Sequence, residues 1–304
     1  MASRQTHHLR GYLFALFATV LWSGNFIIAR GLSGDLSPIS LSFYRWSVAV
    51  LVFLPFSIRQ FIVDFSTLMK HKLYICINAL LGISIFNTLI YRAGHTTTAQ
   101  NLSMIAIIFP VFIVLISVIF FKEKISIRKI AGIIIVFTGA TLLVNKGQIS
   151  NVLNMDFVVG DFWMLLASLI FAIYSILLNF RPEGLRLIPF QLSTYILGLV
   201  FLTPFYLYEQ ISSPQIPFDY GSHVFIAVLY AGIFASMSAF VLWNKAISYI
   251  GPVKTGMMYY SLPVFSFIEA YFFLDETIHL YSILCLILIV TGILLAVVQS
   301  TRNT

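Results

Sequence analysis

The sequence predicts an all-α polytopic membrane protein: ten transmembrane helices form two inverted five-helix repeats, with both termini in the cytoplasm. Three observations predict it: an excess of apolar residues, an uneven distribution of Lys and Arg, and a phrase that occurs twice. Hydrophobic residues make up 60% of the 304 positions and charged residues only 10%. Because a soluble domain is about 25% charged, most of this surface must face lipid. This excludes soluble enzymes and nucleic-acid binders, despite the net charge of +7.

The membrane-spanning segments follow from length and polarity. A helix of about 20 apolar residues crosses the hydrocarbon core of a bilayer, and ten segments qualify. They are 11–30, 38–57, 73–91, 98–121, 127–144, 160–180, 189–208, 223–243, 252–274 and 280–298. The first is too long for the apolar core of a signal peptide and lacks a cleavage site, so we expect an uncleaved helix. The connections between spans are too short for a separate soluble domain.

Basic residues concentrate in alternate connections. One set, together with the termini, contains Arg4, Arg10, Arg59, Lys70, Lys72, Lys122, Lys124, Arg128, Lys129, Arg181, Arg186, Lys245, Lys254 and Arg302. The other set contains Arg30, Arg92 and Lys146. Because short cytoplasmic segments carry the excess of Lys and Arg, both termini are predicted to be cytoplasmic. The positive net charge is then mostly a consequence of topology.

The chain repeats one phrase with its charge reversed. FPVFIVLISVIFFKEKIS begins at Phe109, and LPVFSFIEAYFFLDETIH begins at Leu262. The prolines of the two copies, Pro110 and Pro263, are 153 positions apart (263 − 110 = 153). Since each half holds an odd number of helices, the second half must cross the membrane in the opposite sense. The basic KEK then ends in the cytoplasm and the acidic DET outside, where positive charge is disfavoured.

Other helices match across the two halves. GYLFALFATVLWSGNF, which begins at Gly11, resembles GDFWMLLASLIFAIYS, which begins at Gly160, and SPISLSFY resembles IPFQLSTY. We therefore predict one repeat over residues 1–148 and an inverted repeat over residues 149–304. Inverted repeats place a binding site near the bilayer midplane, and transporters use this arrangement for alternating access.

Four motifs follow one another along the helices, and the last two of them occur in both halves. They are ATVLWSGNFI in helix 1, SPISLSFYRW at the start of helix 2, the PVF…KEK and PVF…DET ends of helices 4 and 9, and TG in helices 5 and 10. Over about residues 10–298, the chain resembles the ten-helix EamA branch of the drug/metabolite transporter superfamily. The resemblance implies a multi-pass carrier of the bacterial inner membrane, often an exporter of amino acids or other metabolites, with a cavity between its halves.

Two charges lie well inside the predicted spans, where an unpaired charge costs about 2.5–3.5 kcal/mol or more. Arg45 in helix 2 and Glu269 in helix 9 are both predicted to lie in the outer half of the bilayer. Their repeat positions hold Ile196 and Ile116, so the symmetry of the fold requires neither charge. They could form a structural pair, reach toward the outer surface, or handle substrate or protons; we expect that Glu269 could protonate during transport.

Pro110 and Pro263 are candidate gating kinks, with a purely structural bend as the alternative. Candidate cavity residues share helix faces and suit a small, partly apolar solute. They are Trp22, Asn25, Asn87, Tyr91, Asn101, Met104, Tyr174, Trp243, Tyr259 and Tyr260. The alternatives are an interfacial aromatic belt, for Trp243 above all, and hydrogen bonds between helices for Asn25 and Asn87.

No catalytic, metal or cofactor motif stands out. An HExxH motif, a P-loop, paired intramembrane aspartates and tandem selectivity-filter sequences are missing from the sequence. We therefore expect a secondary transporter that exports small metabolites such as amino acids, without a cofactor, as a monomer or weak homodimer. A proton is the expected coupling ion. Efflux of cationic drugs or quaternary amines is the alternative function, and a non-transporting membrane protein is the third.

Overall fold

The structure is a computed structural model that describes residues 2–122, 125–145, 147, 157–212, 221–273 and 280–297. Throughout this part the regular elements are helices. They are α1 Ala2–Gly31, α2 Pro38–Val63, α3 Phe65–Lys70, α4 Lys72–Ala79, α5 Phe86–Gly94, α6 Ala99–Ala106, α7 Phe109–Phe121, α8 Ile127–Val144, α9 Val159–Asn179, α10 Leu187–Ser212, α11 Gly221–Tyr230, α12 Ala239–Tyr259, α13 Leu262–Phe273 and α14 Leu280–Val297. The described residues also include two π-helical segments. Leu80–Ile85 joins α4 to α5, and Ala231–Ser238 joins α11 to α12.

Seven segments of the described chain are long and apolar enough to cross a membrane. They are His7–Gly31, Pro38–Val63, Lys72–Gly94, Met104–Phe121, Val159–Asn179, Leu187–Ser212 and Gly221–Tyr259. Many large apolar side chains are exposed on them, such as Leu51 at 68% and Ile226 at 64%. Lipid contact explains such a surface, so the chain is a multi-pass membrane protein. Ten crossings and cytoplasmic termini stay predictions.

The helices break near glycine and proline. In α12, Gly251 has φ +76° and ψ 166°, outside the helical range, and Pro252 follows it. The predicted span 98–121 is divided into α6 and α7, and Pro110 lies in the first turn of α7. Pro263 likewise lies in the first turn of α13, where a missing N–H costs no helical hydrogen bond. Each proline therefore stands just after a break and not within a continuous bent helix.

Equivalent residues of the two halves make equivalent contacts. A Cβ atom on Gly11 would lie 2.6 Å from Ile250 Cγ2, and one on Gly160 would lie 2.9 Å from Thr97 Cβ. Ile250 and Thr97 are 153 positions apart (250 − 97 = 153), the offset of the two prolines. Thus α1 packs against α12 just before its break at Gly251 in the way that α9 packs against the turn after α5, and each half supplies one helix to the other.

The helices α8 and α14 cross at glycine. A Cβ atom on Gly132 would lie 2.7 Å from Gly292 O, and one on Gly292 would lie 2.8 Å from Gly132 O. A real Cβ atom does not fit at such distances, so the two backbones touch. This crossing belongs to a small core of its own, apart from the larger core that α1, α2, α5, α9, α10 and α12 build between the halves.

Candidate functional site

A layer of aromatic rings joins the two halves, centred on Trp22 of α1. The centroid of its ring lies 5.3 Å from that of Phe171 in α9. The rings of Phe240, Trp243 and Tyr259 in α12 lie 5.5, 5.1 and 6.1 Å away. Because α1 belongs to the first half and α9 and α12 to the second, this layer lies at the interface of the halves.

The polar edges of the two tryptophans are satisfied within this layer. Trp22 Nε1 donates to Ala235 O at 2.8 Å, and Trp243 Nε1 donates to Ser175 Oγ at 3.1 Å. The side chain of Trp243 is fully buried, because α12 continues past it to the break at Gly251. The alternative that Trp243 belongs to an interfacial belt is therefore wrong.

A buried cation lies beside the aromatic layer, in what we call the Arg45 cluster: Asn25, Arg45, Tyr91 and Ser236. The side chain of Arg45 is 1% exposed. Its Nε donates to Ser236 Oγ at 2.6 Å, and its Nη1 donates to Asn25 Oδ1 at 3.1 Å and to Tyr91 Oη at 2.5 Å. Tyr91 Oη donates in turn to Asn25 Oδ1 at 3.1 Å. All three acceptors are neutral.

The second π segment supplies one wall of this cluster. Ser236 Oγ donates to Ala231 O, five residues earlier, at 2.7 Å. Other helices reach carbonyl groups of the same region, since Trp22 bonds to Ala235 O and Tyr195 Oη donates to Met237 O at 3.0 Å. A π turn shifts the backbone hydrogen-bond register, and such turns recur at functional sites. Here the turn brings carbonyl oxygens and Ser236 to the interface of the halves.

A second polar group, the Gln191 cluster, consists of Tyr174, Gln191, Tyr195 and Asn244. Asn244 Nδ2 donates to Gln191 Oε1 and also lies 3.2 Å from Tyr174 Oη. Gln191 Nε2 donates to Tyr195 Oη at 2.8 Å. All four side chains are buried, and none carries a formal charge.

The two clusters occupy equivalent positions of the two repeats. Asn25 and Tyr174 are 149 positions apart (174 − 25 = 149), the offset that aligns Gly11 with Gly160. Tyr91 and Asn244 are 153 apart (244 − 91 = 153), the offset of the two prolines. Each repeat thus contributes one Asn–Tyr contact, with the two residue types exchanged. Arg45 has no such counterpart, since the second repeat holds Ile196 there.

A small cavity opens next to the Arg45 cluster. Its lining residues are Trp22, Asn25, Phe26, Phe86, Asn87, Ile90 and Tyr259. It has room for about one water molecule, so it must widen to take a larger ligand. Asn87 Nδ2 donates to Gly82 O and Ile83 O, both at 3.0 Å, which directs its Oδ1 away from the backbone of its own helix.

Comparison with known proteins identifies the family. The EamA-like transporter family matches the chain twice, over residues 9–145 and 158–298. The chain belongs to the EamA-like transporter family. It is thus a membrane transporter of the drug/metabolite transporter superfamily, and not an enzyme.

Two relatives and one solved structure each match nearly the whole length of this chain. An uncharacterized transporter of Archaeoglobus fulgidus is 26% identical over 293 residues, 93% of this chain and 96% of that protein. The uncharacterized transporter YyaM of Bacillus subtilis is 25% identical over 294 residues, 95% and 94% of the two chains. One crystal structure superposes with a TM-score of 0.73 at 18% identity, covering 94% of this chain and 96% of that chain. That structure supports the fold alone.

This EamA-like protein gathers most of the predicted cavity residues but not all. Asn101 Nδ2 donates to Asp161 Oδ1 at 3.3 Å, at the end of α9, and Met104 Sδ accepts from Asn145 Nδ2 at 3.5 Å. Tyr260 packs in the separate core of α8 and α14. Sequence spacing put Asn101 and Met104 on one helix face, but that face contacts Asp161 and Asn145.

The two charged residues that are predicted to lie within the membrane do not pair. Glu269 Oε1 accepts a hydrogen bond from Ser23 Oγ at 2.5 Å. Its Oε2 is buried without a hydrogen-bond partner among the described residues. In the same part of the chain, the ion pairs within 4.0 Å involve Asp64 and Asp35 but not Arg45 or Glu269. The sequence estimated the depth of both residues, but depth does not say which way a side chain points around its helix.

Several side chains of the site were missed as site residues. The polar ones are Ser236, Gln191, Tyr195 and Asn244, and the aromatic ones are Phe171 and Phe240. Asn244 had a usable signal, because it lies at the repeat position of Tyr91. Among the described residues, no group of three or more His, Cys, Asp or Glu side chains could hold a metal ion.

Proposed function

We propose that this protein is a secondary transporter that exports small metabolites such as amino acids across the bacterial inner membrane by alternating access. The observation that carries the proposal is the cavity between the halves, where aromatic faces and the Arg45 cluster meet. Ligand sites combine apolar walls with a few placed polar groups, and inverted repeats position such a site between them. The repeats would be residues 1–148 and 149–304, with ten spans and cytoplasmic termini.

Alternating access requires helices that can change direction. The breaks before Pro110 and Pro263 lie at equivalent positions, one in each half. Helices that are interrupted at such places can pivot without breaking many backbone hydrogen bonds, so we propose both breaks as gating elements. Because the present cavity is too small for a metabolite, movement at these breaks is what would open it.

A proton is the proposed coupling ion, with Glu269 as its carrier. This carboxylate touches Ser23 in α1, and its second oxygen lacks a hydrogen-bond partner among the described residues. An ionised carboxylate in that position is costly within a membrane, which favours a role in which it takes up and releases a proton. Since Ser23 neighbours Trp22, a change in the charge of Glu269 would be felt beside the cavity.

The second candidate function is efflux of organic cations. Glu269 without a cationic partner among the described residues, together with the aromatic rings that line the cavity, would suit a quaternary amine. Arg45 argues against it, because a buried cation next to the cavity repels another. The small four-helix members of the superfamily use an acidic residue in helix 1 for this purpose, and helix 1 of this chain has none.

The test is counterflow in proteoliposomes that contain the purified full chain. Labelled amino acids, nucleosides and organic cations are compared with the same panel in protein-free vesicles, with and without an imposed proton gradient. We expect counterflow of amino acids, driven further by the gradient. A preference for organic cations would support the second candidate, and no counterflow of any compound would contradict both.

A further inference from the structure

The charge of Arg45 is not balanced by the protein. Its three hydrogen-bond acceptors are the neutral oxygens of Asn25, Tyr91 and Ser236. The rings of Trp46 and Tyr91, centred 5.6 and 5.5 Å from Cζ, soften the charge but do not neutralise it. Its Nη2 has no hydrogen bond to the described residues. A buried cation in this state gains from an anion at close range.

Asn25 connects this charge to the cavity. Its Oδ1 accepts from both Arg45 and Tyr91, and these two bonds fix the orientation of the amide. The Nδ2 group must then point to the other side, and Asn25 lines the cavity. That N–H₂ group has no acceptor among the described residues, although the side chain is only 4% exposed. The cavity therefore presents a hydrogen-bond donor that a guanidinium group polarises from behind.

The other residues that line the cavity provide a hydrogen-bond acceptor and apolar surface. Asn87 is 1% exposed and directs its Nδ2 to Gly82 and Ile83, so its Oδ1 is left as an acceptor facing the cavity. Between the two amides lie apolar and aromatic surfaces, which include Trp22 and Tyr259. A donor backed by positive charge, an acceptor and apolar walls together match a ligand that has an anionic end and an apolar body.

We propose that the cavity recognises its ligand through a carboxylate, which accepts a hydrogen bond from Asn25 Nδ2 and balances the charge of Arg45. This inference rests on the proposed transport function and selects its ligand class, organic carboxylates with a small apolar body. Where the ligand also carries an ammonium group, Asn87 Oδ1 accepts from it. Arg45 is a positioning residue, because it acts through Asn25.

The difference in charge between the two clusters sets the orientation of the bound ligand. The Gln191 cluster occupies the equivalent place in the second repeat and has no charge. A carboxylate therefore gains at the Arg45 end alone, and the apolar body lies toward the aromatic layer of Phe171 and Trp243. Ligands with a cationic end gain at neither cluster.

The test uses four compounds of one shape: leucine, leucinamide, 4-methylpentanoate and isoamylamine. Their binding to the detergent-purified full chain is followed by tryptophan fluorescence, since Trp22 lines the cavity. We expect the two carboxylates to bind about tenfold or more tightly than the amide and the amine, because a charge-assisted hydrogen bond in a buried site is lost without the carboxylate. Equal binding of all four, tighter binding of the amine, or no binding of any would overturn the proposal.

Variants then assign the preference to Arg45. We expect Arg45→Gln to abolish the ratio between leucine and leucinamide and Arg45→Lys to keep part of it. Arg59→Gln, at the exposed end of the same helix, should leave it unchanged. A ratio of affinities does not move if Arg45 merely supports the fold, so a preserved ratio in Arg45→Gln contradicts the proposal. If proteoliposomes show counterflow but leucinamide binds as well as leucine, this inference fails while the transport function stands.

Discussion

The Arg45 cluster and the Gln191 cluster contain the same type of contact, but only the Arg45 cluster contains a charged residue. Each contains an Asn–Tyr contact at equivalent repeat positions, 3.1 Å long between Asn25 and Tyr91 and 3.2 Å long between Asn244 and Tyr174. Because both repeats make this contact, it belongs to the fold that the two repeats share. Arg45 and Gln191 each occur in one cluster alone, so the shared fold requires neither. This difference between the clusters therefore points to function.

The largest effect is expected at Glu269, the other charged residue whose repeat position holds an uncharged residue. We expect Glu269→Gln to lower proton-driven transport by about tenfold or more and to remove its pH dependence, because the variant cannot bind and release a proton. Initial rates in proteoliposomes at several pH values measure this. Glu183→Gln, in an exposed connection, serves as the control. Unchanged rates and pH dependence in Glu269→Gln would remove the proton role from Glu269.

A smaller effect is expected at the glycines of the two π segments. Gly82 packs against the Gln191 cluster and Gly232 packs against the Arg45 cluster. A Cβ atom on Gly82 would lie 2.5 Å from Tyr174 Cε2, and one on Gly232 would lie 2.9 Å from Arg45 O. We expect each Gly→Ala change to destabilise the protein by about 1–3 kcal/mol, because the neighbours must move. The loss of melting temperature in detergent measures it, with Gly34→Ala as the control, since nothing lies within 4 Å of that position. Melting as in wild type for both variants would contradict the close contacts.

The two tyrosines test the charge difference directly. Tyr91→Phe removes a hydroxyl that accepts from a charged group, which is worth about 1.5–3 kcal/mol, whereas Tyr174→Phe removes a neutral contact of about 0.5–1.5 kcal/mol. We therefore expect Tyr91→Phe to be the more destabilising by about 1 kcal/mol. Thermal unfolding of the two variants side by side measures the difference. The opposite order would contradict the difference in charge between the two clusters.

The smallest effect is expected for an ion pair at the protein surface. Arg186 donates two hydrogen bonds of 2.6 Å to Asp64, and these bonds lower the pKa of the Asp64 carboxyl. The stabilisation is therefore present above the ordinary carboxyl pKa and is lost as pH falls through the lower folded value. Because solvent and salt screen such a pair, we expect Asp64→Asn to leave the melting temperature at neutral pH unchanged within error. A clear loss would mean that this pair stabilises the fold more than an exposed pair should.

The sequence predicted an all-helical, multi-pass membrane protein, because hydropathy is visible in one dimension. The π segments could not be predicted, since a π turn leaves the apolar pattern of a buried helix unbroken.

The site was predicted in part for the same reason. Trp22, Asn25 and Tyr91 came from spacing along their helices, and they meet at the interface. Asn101 did not, because it bonds to Asp161 of α9 instead. Gln191 was passed over because its role appears only when two helices from different positions in the chain approach. The pairing of Arg45 with neutral groups depends on rotation around α2, which depth in the membrane does not give.

The most direct test of the account is the ratio of leucine to leucinamide counterflow in proteoliposomes, compared between wild type and Arg45→Gln. The account predicts that wild type prefers leucine by about tenfold or more and that the variant transports both at similar rates. Equal rates in wild type, or a preference that survives in Arg45→Gln, would contradict it.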